Sequence, residues 1–264
     1  MIVLTGDIHH MTLRTPDQAL LPRGVTEVSA CEKYLNIANE AAIEPTIYAS
    51  GRLAEKEHSV LLRLCQNFRF ELGGHTYACM KPALLYAFSR RVLRRANGPR
   101  FYQSMDIAKT LDALAAVARA PIRSWRNHAY RHDCNTVSLL ARHGVRSVSN
   151  QVAADACVAP IDTPYGRVWN IPINTPPDHE NLHPDIGNEG NSRFSDASQW
   201  AAEVLRQIER NELTSTPSVI LAHPACMAVA DDMVALKWLI SHLPARKCVT
   251  VSRLVDSVMS RPSP

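Results

Sequence analysis

The chain has 264 residues, 46% of them hydrophobic and 20% charged, with a formal net charge of +4. That composition excludes a disordered chain, a collagen-like fibre and a disulfide-rich miniprotein, and it allows a large core without covalent staples. No apolar run approaches the ~20 residues that cross a bilayer.

Residues 2–7 are apolar and β-branched and predict a first strand, followed by helical spacing over 31–42. Residues 45–50 read as a second strand closed by Gly51, with a helix over 53–67. A third strand over 68–75 passes through Gly73 and Gly74. A helix over 82–95 opens with a proline, which suits a first helical turn. Another over 106–120 carries Ala and Leu at three- and four-residue intervals. Strands over 122–128, 145–150, 168–174 and 218–223 complete a series of about seven, with helices at 135–143, 196–211 and 231–243. Strands alternating with helices imply a mainly parallel sheet. Count and length together predict an α/β fold, a distorted (β/α) barrel with about seven parallel strands, spanning 1–264 as one domain. Residues 175–193, rich in Pro, Asn, Asp and Gly, read as a long loop, a type more often functional than idle.

Seven cysteines without paired spacing suit a reducing compartment, and residues 1–10 hold no basic segment ahead of an apolar run. A cytoplasmic location is therefore expected. The densest basic group, Arg90, Arg91, Arg94 and Arg95, fits a solvated or a phosphate-facing helix surface. It is not interleaved with aromatics, so a nucleic-acid partner is not expected.

Sites in such barrels form at the carboxyl ends of strands. Eleven histidines make that rim worth reading, since histidine ligates metals and carries protons near neutral pH. Asp7 and His9 end the first strand, His75 the third, Arg126 and His128 the fourth, and His223 the last long one. A period of two puts Asp7 and His9 on one face, where a carboxylate and an imidazole can bind a metal or share a proton. His75 and Cys79 stand four residues apart, one turn if a helix starts there, and that pair suits zinc. A buried free cysteine beneath a loop-capping histidine fits the same spacing. Asp178, His179 and Glu180, with His183 and Asp185, belong to the long loop, which either closes over a ligand or is solvated and turn-forming. Trp125 and Trp169 offer faces for a sugar to stack on, or else fill the core.

Several blocks carry a resemblance to the polysaccharide deacetylase (NodB-homology) family. Val3-Leu4-Thr5-Gly6-Asp7 is similar to its opening T-F-D-D strand, and Pro45-Thr46-Ile47-Tyr48-Ala49-Ser50-Gly51 to its A-T-F-F-V-x-G strand. Phe70-Glu71-Leu72-Gly73-Gly74-His75-Thr76 resembles E-I-G-N-H-[ST]-x-x-H. Arg126 is similar to the arginine of R-x-P, Leu221-Ala222-His223-Pro224 to the late L-x-H block, and Val249-Thr250-Val251-Ser252 to the terminal strand.

The resemblance implies a metal-dependent N-deacetylase in which a divalent metal, zinc for this ligand chemistry, activates water. Asp7 would be the base, His223 the acid and Arg126 the residue orienting Asp7, with His75 on the metal. The chain departs from the pattern at three places. The second aspartate, a metal ligand, corresponds to Ile8, the second metal histidine to Cys79, and the R-x-P proline to His128. His9 could replace the lost ligand, giving His9, His75 and Cys79 with one open position. Alternatively Asp7 binds the metal and another carboxylate such as Asp178 is the base, or the site holds no metal. His128, Asp178 and Trp169 are the candidates for substrate contact. The expected activity is removal of an N-acetyl group from an amino sugar or glycan precursor. The alternatives are a catalytically silent carbohydrate-binding barrel and an amidohydrolase acting on a small non-sugar amide. Oligomeric state is open.

Overall fold

The computed structural model describes residues 1–79, 83–94, 97–182, 194 and 196–260. Its strands are β1 (Ile2–Ile8), β2 (Thr46–Ala49), β3 (Glu71–Gly74), β4 (Ser124–Trp125), β5 (Ser147–Val148), β6 (Ala159–Thr163), β7 (Gly166–Asn170) and β8 (Ser218–Leu221). They form one sheet in the order β6-β7-β5-β4-β3-β2-β1-β8. Every pairing is parallel except the β6–β7 hairpin, so seven strands run together as the alternation with helices predicts. β6 is the unforeseen eighth. Its exposed, proline-interrupted Ala159–Thr163 run lacks the apolar alternation of a buried strand and suits an edge.

β1 shows how the sheet separates packing from chemistry. Ile2, Leu4 and Ile8 point into the large helix-side core, whereas Val3 faces the other side, with Ile171, Ile173, Val219 and Leu221. Strand alternation then gives Thr5 and Asp7 to Val3's face. The helix Val251–Met259 packs Val251, Leu254 and Val255 against that second core. This corrects the expected terminal strand: Cys248 makes a single bridge to Ile2, and the Thr250 side chain then caps the helix by accepting from Arg253 N.

Elsewhere the strands of the fourth and fifth positions are shorter than expected, two residues each, and the helix expected at 53–67 is two, Gly51–Lys56 and His58–Asn67. Ala83–Phe88 continues as a π-helix over Ser89–Leu93, while Pro82 and Arg95, the expected ends, lie outside the described residues. The loop expected at 175–193 contains a short helix, Asp178–Leu182; His183 and Asp185 lie outside the described residues. Trp125 is fully buried, as a core tryptophan would be, and its ring lies over Gly74 so closely that a β-carbon there would overlap it. That glycine lets β3 and β4 approach and aims His75 and Arg126, the next residues of each strand, at the rim.

Candidate active site

Four strand ends deliver their polar residues to one cavity of about 390 Å³, lined by Asp7, His9, His75, His128, Tyr130 and His223 among others. Asp7 is 3% exposed and Arg126 fully buried. Arg126 Nη1 donates to Asp7 Oδ1 at 2.8 Å. Its remaining donors reach Thr5 Oγ1, Ser149 Oγ and the Ser149 carbonyl at 2.9–3.2 Å, and Tyr48 stacks beneath it. Burial alone would raise the Asp7 carboxyl, but Arg126, with His75, His223 and His9, holds it well below the usual carboxylate range. Asp7 Oδ2 is left facing His75 Nδ1 and His223 Nε2, each at 3.7 Å.

His223 is the N-cap of the helix Pro224–Asp231, with Pro224 at the first helical position. Its backbone N–H donates to Asp178 Oδ2 at 2.6 Å and its Nδ1 meets Asp178 Oδ1 at 2.8 Å. Burial opposes the imidazolium, yet Asp178 outweighs it, and the pKa is pushed up to about 9. That direction favours the imidazolium form, whose Nε2 faces the cavity and Asp7 Oδ2. Asp178 is fully buried behind it, so it positions His223 and is not placed to touch substrate as expected.

Beside these two pairs, His9, His75, Cys79 and His128 each place a ligand atom within 4.8 Å of the others. Glu27, at the start of the helix Glu27–Glu40 and 2% exposed, accepts from His9 N at 2.6 Å and pairs with His9 Nδ1 at 3.0 Å. That bond turns Nε2 inward, the carboxylate–histidine arrangement that orients metal ligands. His9 Nε2 and His128 Nδ1 are 3.3 Å apart. Two nitrogens ~2.0–2.1 Å from one tetrahedral zinc would lie about 3.3–3.4 Å apart. Neither ring nitrogen of buried His75 has a hydrogen-bond partner, and burial pushes its pKa down to about 3, so a free lone pair is available. His128 is likewise held well below its ordinary value by burial and by His9 and His75. Three imidazoles, one of them with both buried ring nitrogens unpartnered, and a thiol fit a zinc-like divalent ion. Cys79 reaches the cluster through bends, with Thr76 and Cys79 both at positive φ, and not through the helical turn that its spacing suggested.

Asp7, His9, His75, Cys79, Arg126, Asp178 and His223 thus gather as expected, and His128 both lines the cavity, as a substrate contact would, and stands beside the three expected ligands. Trp169 does not line the cavity: it sits on β7, partly buried against the second core. Ile8 is turned into the helix-side core, so the position of the missing aspartate cannot contribute. Glu27 and Tyr130 were not singled out. A glutamate just after a Thr26 cap is an ordinary helix start, and nothing in its local pattern announces His9 eighteen residues earlier. Tyr130 is delivered by a turn in which Ala129 and Tyr130 both have positive φ, and burial and Glu180 raise its hydroxyl pKa.

No known family's sequence pattern matches the chain, and no curated protein matches it. Solved structures do. A protein assigned as a polysaccharide deacetylase from Mycobacterium smegmatis superposes with a TM-score of 0.72 at 13% identity, covering 100% of this chain and 95% of that one. A family 4 acetyl xylan esterase from Clostridium thermocellum, in complex with a cobalt ion, matches with a TM-score of 0.58 at 16% identity over 99% and 92% of the two chains. A CE4 family pseudoenzyme from Bacillus anthracis matches with a TM-score of 0.56 at 13% identity over 97% and 65%. With its curled, largely parallel sheet and strand-end site, the chain has the NodB-like fold of the polysaccharide deacetylases and family 4 carbohydrate esterases.

Proposed function

We propose that the chain is a metal-dependent hydrolase that removes the acetyl group from an N-acetylated sugar or glycan precursor. The observation that carries this is the adjacency of an arginine-tethered carboxylate, a histidine paired with a buried aspartate and a three-histidine, one-cysteine cluster at one cavity. His9, His75 and Cys79 would hold the ion, with zinc favoured by the thiol and imidazole donors, and His128 stands within reach as a fourth. When bound, the ion supplies polarisation of the acetyl carbonyl and a lowered pKa for attacking water. Asp7 takes the water's proton on Oδ2 while Arg126 fixes Oδ1. Its low pKa makes Asp7 a weak base, so its role would call for the lowered water pKa that a bound ion would supply. His223 then gives its Nε2 proton to the departing amine, a poor leaving group when unprotonated. All seven cysteines are free, two of them exposed, which favours a reducing compartment and an intracellular precursor.

Two observations favour a second reading, a carbohydrate-binding barrel without activity. Ile8 lies in the core, and His128 stands where a fourth protein ligand would fill the position a catalytic zinc keeps open. Metal analysis of protein purified without chelator, with acetate-release assays on N-acetylated amino sugars, separates them. Deacetylation that disappears in Asp7→Asn and His223→Ala supports the enzyme. Unchanged turnover in both variants overturns the mechanism, and metal with sugar binding but no acetate supports the silent barrel.

A further inference from the structure

Between Glu71 and Asp106 the chain carries six Lys or Arg and no Asp or Glu, while its overall formal charge is only +4. The net positive charge of the molecule is therefore carried by this segment, and the remaining residues together are slightly acidic. The described part of this segment comprises the helix Ala83–Phe88, the π-helix Ser89–Leu93 and the start of the helix Arg100–Ala115. It follows directly on the Cys79 loop, and Asn97 donates to the carbonyl of Arg131, the residue after Tyr130.

Its inward side is anchored. Tyr86 is 5% exposed with its ring against Tyr102, and Ser89 is fully buried. The outward side is apolar where a soluble surface would be polar. Leu84, Phe88 and Val92, at four-residue intervals, are 85%, 57% and 58% exposed, and Phe101 and Met105 on the next helix are 75% and 52% exposed. Arg90, Arg91, Arg94 and Arg100 are exposed among them. Single exposed apolar residues need no explanation, but five in this one segment do, together with four guanidiniums that form no ion pair among the described residues.

Apolar side chains that enter the acyl boundary, flanked by arginines at phosphate level, are the chemistry of a surface-bound membrane helix. A two-fold pairing of two copies through this patch would set arginine against arginine. We propose that Leu84, Phe88, Val92 and Phe101, with Arg90, Arg91 and Arg94, dock the protein on an anionic lipid bilayer, holding the cavity near the headgroup layer. The inference goes beyond the proposed activity and does not need it to be correct.

Cosedimentation of the full chain with vesicles tests it, comparing phosphatidylcholine alone with phosphatidylcholine containing phosphatidylserine. Binding is expected only to the anionic vesicles and should weaken with added salt, by about fivefold per arginine removed in Arg90→Gln, Arg91→Gln and Arg94→Gln. The double variant Leu84→Ser, Phe88→Ser should also lose binding while its thermal unfolding midpoint holds, because both side chains are exposed. Equal binding to both vesicle types, no binding at low salt, or binding untouched by either set of substitutions overturns the proposal. A concentration-dependent dimer in gel filtration that the double variant abolishes, without vesicle binding, assigns the surface to a second copy instead and equally overturns it.

Discussion

Replacing Arg126 with methionine isolates what the buried Asp7–Arg126 pair contributes. The guanidinium donates to Asp7, to Thr5 Oγ1 and to both oxygens of Ser149, and its side chain has no exposed surface. Removing one partner of a buried pair leaves an uncompensated charge and costs about 3–5 kcal/mol. A domain's total stability is ~5–15 kcal/mol, so the loss should move a urea midpoint well outside error. The pH dependence carries the sharper signature. In the wild type the folded Asp7 pKa lies below the unfolded one, so its stabilisation is present above an ordinary carboxylate pKa of ~3.9 and is lost only as pH falls below it. In Arg126→Met, burial, the largest influence on Asp7, is no longer offset by the guanidinium, and the folded pKa rises. A raised carboxylate pKa reverses the linkage, and acidification then recovers stability. The gap between wild type and variant should therefore narrow between pH 7.5 and pH 5.5 in urea titrations followed by fluorescence. A gap below about 1 kcal/mol at pH 7.5, or one that widens on acidification, would refute the account of Asp7 as a carboxylate kept ionised chiefly by its arginine.

Glu27→Gln keeps the shape but weakens the bond that orients His9, so zinc affinity measured by competition with a chelator should fall about 10–100-fold, with little change in fold. Asp178→Asn removes the carboxylate that raises His223 against burial. The alkaline limb of acetate release, expected near pH 9 in the wild type, should shift toward or below neutrality, and an unmoved limb would assign the acid role elsewhere. His128→Ala should leave cobalt bound but change its visible absorption if His128 is a ligand, whereas an identical spectrum would place His128 outside the coordination shell. Gly74→Ala forces a β-carbon into the Trp125 ring and should destabilise the protein by about 1–3 kcal/mol in thermal unfolding.

The parts of the site legible from sequence were those that strand geometry alone determines. Asp7, His75, Arg126 and His223 each stand at or just beyond a strand's carboxyl end, and a parallel barrel brings such positions together whatever its loops do. The parts that were not legible depend on side chains meeting across long separations. Asp178 partners His223 over 45 residues and Glu27 partners His9 over 18, and neither pairing has a periodic signal. Trp169 misled because β7 belongs to a hairpin whose first strand is polar and proline-broken, so a strand-end aromatic turned out to support the inner core. The β-branched run around Val249–Val251 looked like a strand, but Thr250 caps a helix whose apolar face was needed to fill that same core.

The substitutions that set this site apart form one rearrangement with a single logic. Strand alternation gives residue 8 to the helix-side core and residues 7 and 9 to the cavity, so an isoleucine at 8 forfeits a ligand without disturbing Asp7. His9 lies one position further along, and Glu27 holds its ring so that Nε2 faces the cluster. A carboxylate touching the ion would thus be exchanged for an imidazole backed by a carboxylate. Cys79 in place of a histidine offers a sulfur donor, which would make the set softer than oxygen-rich sites and favour zinc over magnesium. His128, standing where the family resemblance has a proline, then decides whether the fourth position is open to water or filled by protein. The ion pairs Asp7–Arg126 and His223–Asp178 are complete in either case, so the two proposed readings, deacetylase and binding barrel, differ by one imidazole and the strained turn, at Ala129 and Tyr130, that carries it.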